Sequence, residues 1–426
     1  MRLLKAVIPP TIPRLHEVTL DVRIVGFALA LTVVTGLLVG LVPAMRAGTP
    51  RLSDLLQDGS RGGSASRSSR RLWGLLVAGE VALVLVLVVG SGLMIRSFSR
   101  LTAVDPGFRT EGVLSVAVAL PSSRNPFGQQ GRFYADLAER ITAIPGVESS
   151  GGVSALPMSA VGSEFKRPFT VEGLDAVSPS ERPLADFRAV VPGYFSTLEI
   201  DLLDGRVFDA LDGTDERPVA IVNRSLAERY FPGRSPLGQN LAMPMAGTLE
   251  VVGVVEDVRH GGLESVGKPE LFVPANQLAL DEMHFVVRSS VVGPALVRSM
   301  REAILALDPA LPPTQIATLE ELVSTSVAEP RFNMILLTGL AAVALLLAGV
   351  GVFGVVSYTV ALRTGEIGLR MALGADPGRA MRLVLIQTLR SVSLGVLVGL
   401  GGAALLSRYL ESLLYGIAPM DPVTYL

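Results

Sequence analysis

Seven consecutive residues, Gly262-Leu-Glu-Ser-Val-Gly267-Lys268, have the spacing of a phosphate-binding loop. In such a loop a glycine-rich turn presents backbone amides to phosphate oxygens, and the lysine reaches the β- and γ-phosphates. Pro269 stands where the magnesium-holding Ser or Thr would come next, and proline lacks an amide that the next helix would need. The string therefore reads as a turn between two strands. Other chemistry is as sparse. His16, His260 and His284 are the only histidines, too scattered for a metal set or a triad by spacing, and there is no cysteine. The lack of cysteine excludes disulfides, thiolate zinc sites, iron–sulfur clusters and cysteine nucleophiles. Asp105, Asp308, Asp376 and Asp421 each precede a proline and read as turn or helix-start punctuation. The chain is thus expected to have no catalytic residue, cofactor or metal ligand and to be no enzyme. Its net charge of -2 gives no reason to expect nucleic acid as a partner.

The informative short pattern is Arg363-Thr-Gly-Glu366-Ile367-Gly368-Leu-Arg370-Met-Ala-Leu-Gly374-Ala375. Glu366 and Arg370 stand at i, i+4 in the favourable order and support a short helix. Gly374 can end that helix in a left-handed cap. Asp376-Pro377 then supplies an N-cap and a first-turn proline for a new helix. This is a structured elbow, and the elements on either side decide where it lies.

Those elements are membrane helices. The mean hydropathy of +0.49 is high for a soluble chain of this size. Four stretches, 24–46, 72–96, 331–362 and 383–407, are long and apolar enough to cross a hydrocarbon core of about 30 Å, which takes about 20 helical residues. Residues 1–23 carry Arg2 and Lys5 but only a short apolar run before Pro9-Pro10, which is no secretory signal. The linker 47–71 holds Arg51, Arg61, Arg67, Arg70 and Arg71, with Arg46 at its edge, and 363–382 holds Arg363, Arg370, Arg379 and Arg382. Arginine-rich loops stay in the cytoplasm, so residues 1–23, 97–330 and the tail 408–426 are expected outside. Gly36/Gly40 and Gly395/Gly399 have the small-xxx-small spacing that lets helices approach in lipid; plain glycine abundance in membrane helices explains them equally well. Glu80, two turns inside a span, is either a functional carboxylate or one that reaches the interface or caps a neighbour.

Residues 97–330 read as an α+β domain. A strand is expected over 113–120, a helix over 129–144 from Phe133, Leu137, Ile141 and Ile144, and a strand over 147–156. Further strands are expected near 169–172, 186–191, 219–223, 249–257, 271–274, 285–288 and 315–319, with helices over 225–230 and 294–307. This pattern suggests two interleaved lobes, the second inserted into the first. The fold class expected is four transmembrane helices plus a large extracytoplasmic α+β domain.

With these residues in place, the chain closely resembles the FtsX-like permease family of ABC transporters with a MacB-type periplasmic core domain. The likeness is carried by 363–375, by 81–101 leading into Val104-Asp-Pro-Gly-Phe108, by 190–194 with Gly205-Arg-Val-Phe208, and by 219–223 and 251–257. The resemblance implies a multi-pass protein of the bacterial inner membrane. Its elbow (Glu366, Ile367, Gly368, Arg370, Gly374 and Ala375) would meet a separate cytoplasmic ABC ATPase, and ATP-driven helix movements would rearrange the periplasmic domain by mechanotransmission. Export or efflux is the expected role. Membrane lipid, a second permease half or copy, and a periplasmic adaptor or outer-membrane channel are the further partners implied. The extra helix 24–46 resembles the end of a preceding permease half in a duplicated subfamily, and the family would continue past Leu426 into a last helix. Two alternatives stay open: an ATPase-linked regulator of an envelope or cell-wall hydrolase, and an outward-facing membrane enzyme.

The arginine asymmetry makes a topological prediction. Single cysteines at Ser66, Ser180 and Thr364 should differ in whole cells, with an impermeant thiol reagent labelling only the one at Ser180. Strong labelling at Ser66 with none at Ser180 would reverse the orientation.

Overall fold

The computed structural model describes residues 22–47, 67–120, 129–159, 165–172, 178, 182–209, 211–213, 218–244, 247–278, 280–311, 314–362, 364–365, 368, 372–373 and 377–425. In chain order the helices are α1 (Val22–Ala47), α2 (Arg67–Thr102), α3 (Gln129–Thr142), α4 (Tyr194–Thr197), α5 (Arg224–Tyr230), α6 (Pro294–Leu307), α7 (Leu319–Ser326), α8 (Ala328–Leu362), α9 (Pro377–Tyr409) and α10 (Pro422–Tyr425). The strands are β1 (Val113–Ala119), β2 (Val147–Val153), β3 (Lys166–Pro168), β4 (Thr170–Val171), β5 (Leu184–Val191), β6 (Leu202–Gly205), β7 (Val219–Asn223), β8 (Asn240–Met243), β9 (Gly247–Val255), β10 (Glu270–Pro274), β11 (Glu282–Ser289) and β12 (Thr314–Thr318). They separate into two compact units, Met1–Arg100 with Glu329–Leu426, and Leu101–Ala328.

In the first unit, three helices carry stretches apolar and long enough to cross a membrane: Trp73–Thr102 in α2, Ala328–Ala361 in α8 and Thr388–Tyr409 in α9. At 1.5 Å per residue the 35 residues of α8 extend about 52 Å, well beyond the hydrocarbon core. Helix α1 is 26 residues long, and its described apolar stretch, Val22–Val34, is shorter than a full span. α2 is the most buried of the three spanning helices.

The reason is backbone proximity. A Cβ at Gly395 would lie 2.6 Å from the Ala78 carbonyl oxygen, and one at Gly399 would lie 3.0 Å from the Cα of Ala82. Gly74 faces Ser391 and Gly402 faces Val86, so positions on α2 and α9 advance together and the two helices are parallel. On α2's other side Trp73 meets Tyr358 (ring centroids 5.9 Å apart), Glu80 meets Gly351, and Ser91 Oγ donates to Thr338 Oγ1 at 3.0 Å. Those numbers run in opposite senses, so α8 is antiparallel to α2.

The second unit is built on a 12-stranded sheet in the order β12-β1-β11-β2-β5-β10-β7-β9-β8-β4, with β3 beside β5 and β6 beside β9. Most neighbours are antiparallel; β5–β10 and β7–β9 are parallel. After β10 the chain returns as β11 and β12 to pair with β2 and β1, so the strands of 202–274 form an insertion into the first part of the sheet. β1 is buried everywhere but Ala119, which explains its unbroken run of small and apolar residues. α3 contributes Tyr134, Leu137, Ala138 and Ile141 to the main core and α6 contributes Leu296, Met300 and Ile304, each set at helical spacing. α7 opens with a reciprocal cap in which Glu321 N donates to Thr318 Oγ1 and Thr318 N donates to Glu321 Oε2.

Two differences from the expected strands have physical causes. β2 stops at Val153 rather than continuing to 156. Ala189 N donates to Ser154 Oγ at 3.1 Å rather than to a backbone carbonyl, and Met158 takes φ +61°, so the ladder ends and the chain turns there. β3, β6 and β8 were not anticipated; β6 is exposed throughout, and β6 and β8 exist through their pairing with β9 rather than through any apolar run.

The glycine contacts predict a paired result. Gly395→Val should destabilise the helix group by about 1–3 kcal/mol, the usual cost of overpacking, read as a lower unfolding midpoint in nanodiscs. Gly339→Val in α8, where a Cβ meets nothing within 4 Å, should leave the midpoint unchanged.

Candidate functional site

Among the described residues no group of three or more His, Cys, Asp or Glu is placed to hold a metal ion. The phosphate-loop look-alike leads into β10 and not into a helix. The Lys268 carbonyl accepts from Asn223 Nδ2 at 2.7 Å, and Gly267 is pressed against the Asp257 carboxylate, so the backbone is committed to the fold.

Of the positions singled out from the sequence, Gly395 and Gly399 are the places where α9 touches α2. The Glu80 carboxylate rests on Gly351 of α8, where any side chain would overlap it. Gly36 has nothing within 4 Å of its would-be Cβ among the described residues, and the surroundings of Gly40 lie outside them. In the elbow, Gly368 is helical and exposed, and Thr364 Oγ1 donates to the Val360 carbonyl at 3.1 Å, continuing the turn beyond α8. Glu366, Ile367, Arg370, Gly374 and Ala375 lie outside the described residues, as does His16.

The segment after α9 folds back onto α2. Arg96 pairs with Asp421, whose Oδ2 also accepts from Thr424 Oγ1 at 2.7 Å. Tyr415 N donates to Ser97 Oγ at 2.8 Å, and Arg100 donates to the Gly416 carbonyl. Beneath these polar ties Ile417 packs with Val89, Leu93 and Ala403. Asp421 also stands directly before α10, the helix-start position read from the sequence, whereas its partner Arg96, more than 300 residues earlier, carries no local signal.

In the second unit the segment after α2 is riveted into the sheet. Arg259 N donates to the Pro106 carbonyl at 3.0 Å and Arg109 N donates to the Leu198 carbonyl at 2.8 Å, while Phe108 is buried. Gly107 adopts φ +81°, and a Cβ there would run into the Asp257 carbonyl oxygen. Beside it, Asp105, Arg109, Glu199, Asp201, Glu256 and Arg259 line an open cavity of about 480 Å³. Asp257 is itself a hub, with Oδ1 accepting from Asn223 Nδ2 (2.6 Å) and Ser225 N (2.9 Å). Asn223 Oδ1 in turn accepts from Leu226 N and Glu270 N, at 3.0 and 2.8 Å. One buried amide thereby caps α5, starts β10 and holds Asp257. An Asn just ahead of a short helix is the one sequence signal that pointed to it. Arg206 forks onto the buried Asp212 (2.5 and 2.9 Å), and Phe208 packs near Phe195.

The rivet is testable by comparison. Gly107→Ala and Gly233→Ala both force a side chain into positive φ, a strain of about 1–2 kcal/mol, but only Gly107 also meets backbone. Hydrogen exchange over residues 255–260 should accelerate in Gly107→Ala and stay at the wild-type rate in Gly233→Ala.

Known families and proteins match the sequence of both units. The family profile described as MacB-like periplasmic core domain matches residues 76–306, and that described as FtsX-like permease C-terminal matches residues 338–425. The "Uncharacterized ABC transporter permease YknZ" of Bacillus subtilis (strain 168) is 26% identical over 249 residues, covering 56% of this chain and 62% of that protein. The "Macrolide export ATP-binding/permease protein MacB" of Azoarcus sp. (strain BH72) is 26% identical over 369 residues, covering 83% of this chain and 52% of that protein. The crystal structure of the periplasmic region of MacB from Actinobacillus actinomycetemcomitans aligns with TM-score 0.35 and 16% identity, over 51% of this chain and 94% of that one. The chain spans less than two thirds of the length of the two full-length relatives. The first profile covers more than half of the chain and the second most of the remaining carboxyl-terminal part: the chain belongs to the FtsX-like ABC transporter permeases that carry a MacB-like periplasmic core domain.

Proposed function

We propose that the chain is a permease subunit that couples ATP hydrolysis by a separate cytoplasmic ATPase to movement of its extracytoplasmic domain, in an export or efflux system. The observation that carries this reading is the arrangement of three packed helices with one α+β domain inserted between two of them. α2 is antiparallel to α8 and parallel to α9, so the start of α2, the end of α8 and the start of α9 lie at one end of the group, next in sequence to the arginine-rich loops 47–71 and 363–382. The end of α2 and the start of α8, between which residues 101–328 are inserted in sequence, lie at the other end. The arginine bias of the two loops supports a cytoplasmic location for the first end, and α1 completes four spans in this reading.

The subunit itself performs no catalysis in this scheme. Nucleotide turnover in the ATPase would move the elbow, α8 and α9 would shift against α2, and the segment 101–109 would pass the displacement to the sheet. The ATP-binding/permease relatives support an ATPase as partner, and the macrolide-export name attached to one of them supports the export direction. A paired permease half and a periplasmic adaptor or outer-membrane channel fit the same scheme.

The elbow provides the test. Glu366→Arg would invert a charge at the proposed docking surface and put like charges at i, i+4; Gly374→Val would strain the left-handed cap expected there from the sequence by about 1 kcal/mol or more. Each should reduce co-purification with a partner ABC ATPase, and its stimulation, with membrane insertion unchanged. Wild-type binding in both variants would make the elbow a mere connector.

A further inference from the structure

The second unit buries four charged or titratable side chains together. Asp186 and Arg188 come from β5, Glu270 opens β10, and His260 lies in the loop leading to it. Their exposures are 4%, 1%, 2% and 5%. Arg188 Nη2 is 3.4 Å from Glu270 Oε1, and His260 Nε2 is 3.2 Å from the same oxygen. Asp186 and Glu270 are direct partners across the parallel β5–β10 ladder, where Asp186 N also donates to the Pro269 carbonyl at 2.9 Å. Asp186 Oδ1 and Glu270 Oε2 have no hydrogen-bond partner among the described residues. Asp186, His260 and Glu270 line a small cavity of about 20 Å³, enough for one water.

The charge count is the difficulty. Two carboxylates and one guanidinium leave an excess negative charge where an unpaired charge is costly. Like charges at opposed ladder positions repel, and two carboxyls sharing a site favour a proton on one of them. The other groups facing Asp186 are Lys166, its partner on β3, and Lys268 in the loop; both are exposed, so solvent screens them. Tyr194 faces Arg188 and Glu270, and burial keeps its phenol protonated. A proton on His260 would add a second cation beside Arg188. The buried set is therefore neutral with one proton on the carboxyl pair and none on the imidazole.

We propose that Asp186, Glu270, Arg188 and His260 form a buried proton-binding site at the β5–β10 junction, holding one proton on Asp186 and taking a second on His260 on acidification. The junction joins the first part of the sheet to the inserted strands, so proton uptake there loosens one part against the other. Burial, the largest influence on each, pushes Asp186 up and His260 down, with the neighbouring Glu270 adding to the rise of Asp186. For His260, lowered in the fold, the stabilisation is present above its ordinary value of about 6.5 and is lost as pH falls through the lower folded value. For Asp186, raised in the fold, it is full below the ordinary value of about 4 and is lost as pH rises through the raised one. The junction thus loosens on the acid side through His260 and on the alkaline side through Asp186. The site is independent of the permease reading.

The test is hydrogen exchange of β5 and β10 amides in the full chain in nanodiscs, from about pH 8 to about pH 5, corrected for intrinsic exchange. Wild-type protection should be highest near neutral and fall by about tenfold or more on the acid side, as one buried charge at 1.4 kcal/mol per decade implies. His260→Asn should remove the acid fall. Asp186→Asn, which mimics the protonated carboxyl, should match wild type at neutral pH, whereas Glu270→Gln should lose protection. A flat wild-type profile overturns the proposal without any variant. So does an acid fall that persists in His260→Asn, or an Asp186→Asn loss equal to that of Glu270→Gln.

Discussion

Two hydrogen atoms, those at the α-carbons of Gly395 and Gly399 where other residues carry side chains, set the arrangement of the first unit. Lipid tails are as apolar as leucine, so helices in a bilayer gain nothing from hiding apolar surface and associate through close van der Waals contact. That contact requires α9's backbone to sit against Ala78 and Ala82. Once this face of α2 is committed, helical geometry does the rest. Glu80 lies about 200° around α2 from Ala78, and so faces Gly351 on α8. Farther along α2, Ser91 reaches Thr338, and Arg96, Ser97 and Arg100 meet the segment after α9.

The second unit obeys a different constraint, because water is available and backbone groups need partners rather than closeness. Its strand ends converge on Asn223 and Asp257, whose side chains satisfy three amides and a carbonyl at the starts of α5 and β10. Removing one would orphan several buried groups at once, which costs more than the bonds themselves contribute. In the proposed mechanism such stitching is useful. A segment tied to the sheet through Pro106 and Arg109, with Gly107 pressed on Asp257, displaces the strands it touches instead of stretching.

Much of this was legible in the residues. The boundaries of β7 and α6 coincide with those expected from apolar runs and from Pro294, and α9 begins at the proline expected to start it. These features are written locally: apolar length, helical spacing and terminal proline act over a few residues. β6 and β8 were not legible, since they are strands only because β9 is beside them. The small-residue spacing at Gly395 and Gly399 pointed to a helix contact but not to its partner; the same spacing at Gly36 meets nothing described.

The sequence by itself determined that apolar helices flank a polar α+β domain, and it carried the motifs of the permease family. Both come from solvent preference, which each stretch of chain expresses independently of its neighbours. Only the tertiary structure decided which long-range pairs form: Glu80 on Gly351, Arg96 with Asp421, Asn223 with Asp257, and Asp186 beside Glu270. Charge pairing, close approach and carboxyl repulsion act over a few ångströms, and no spacing along the chain encodes which distant residues will be brought that near.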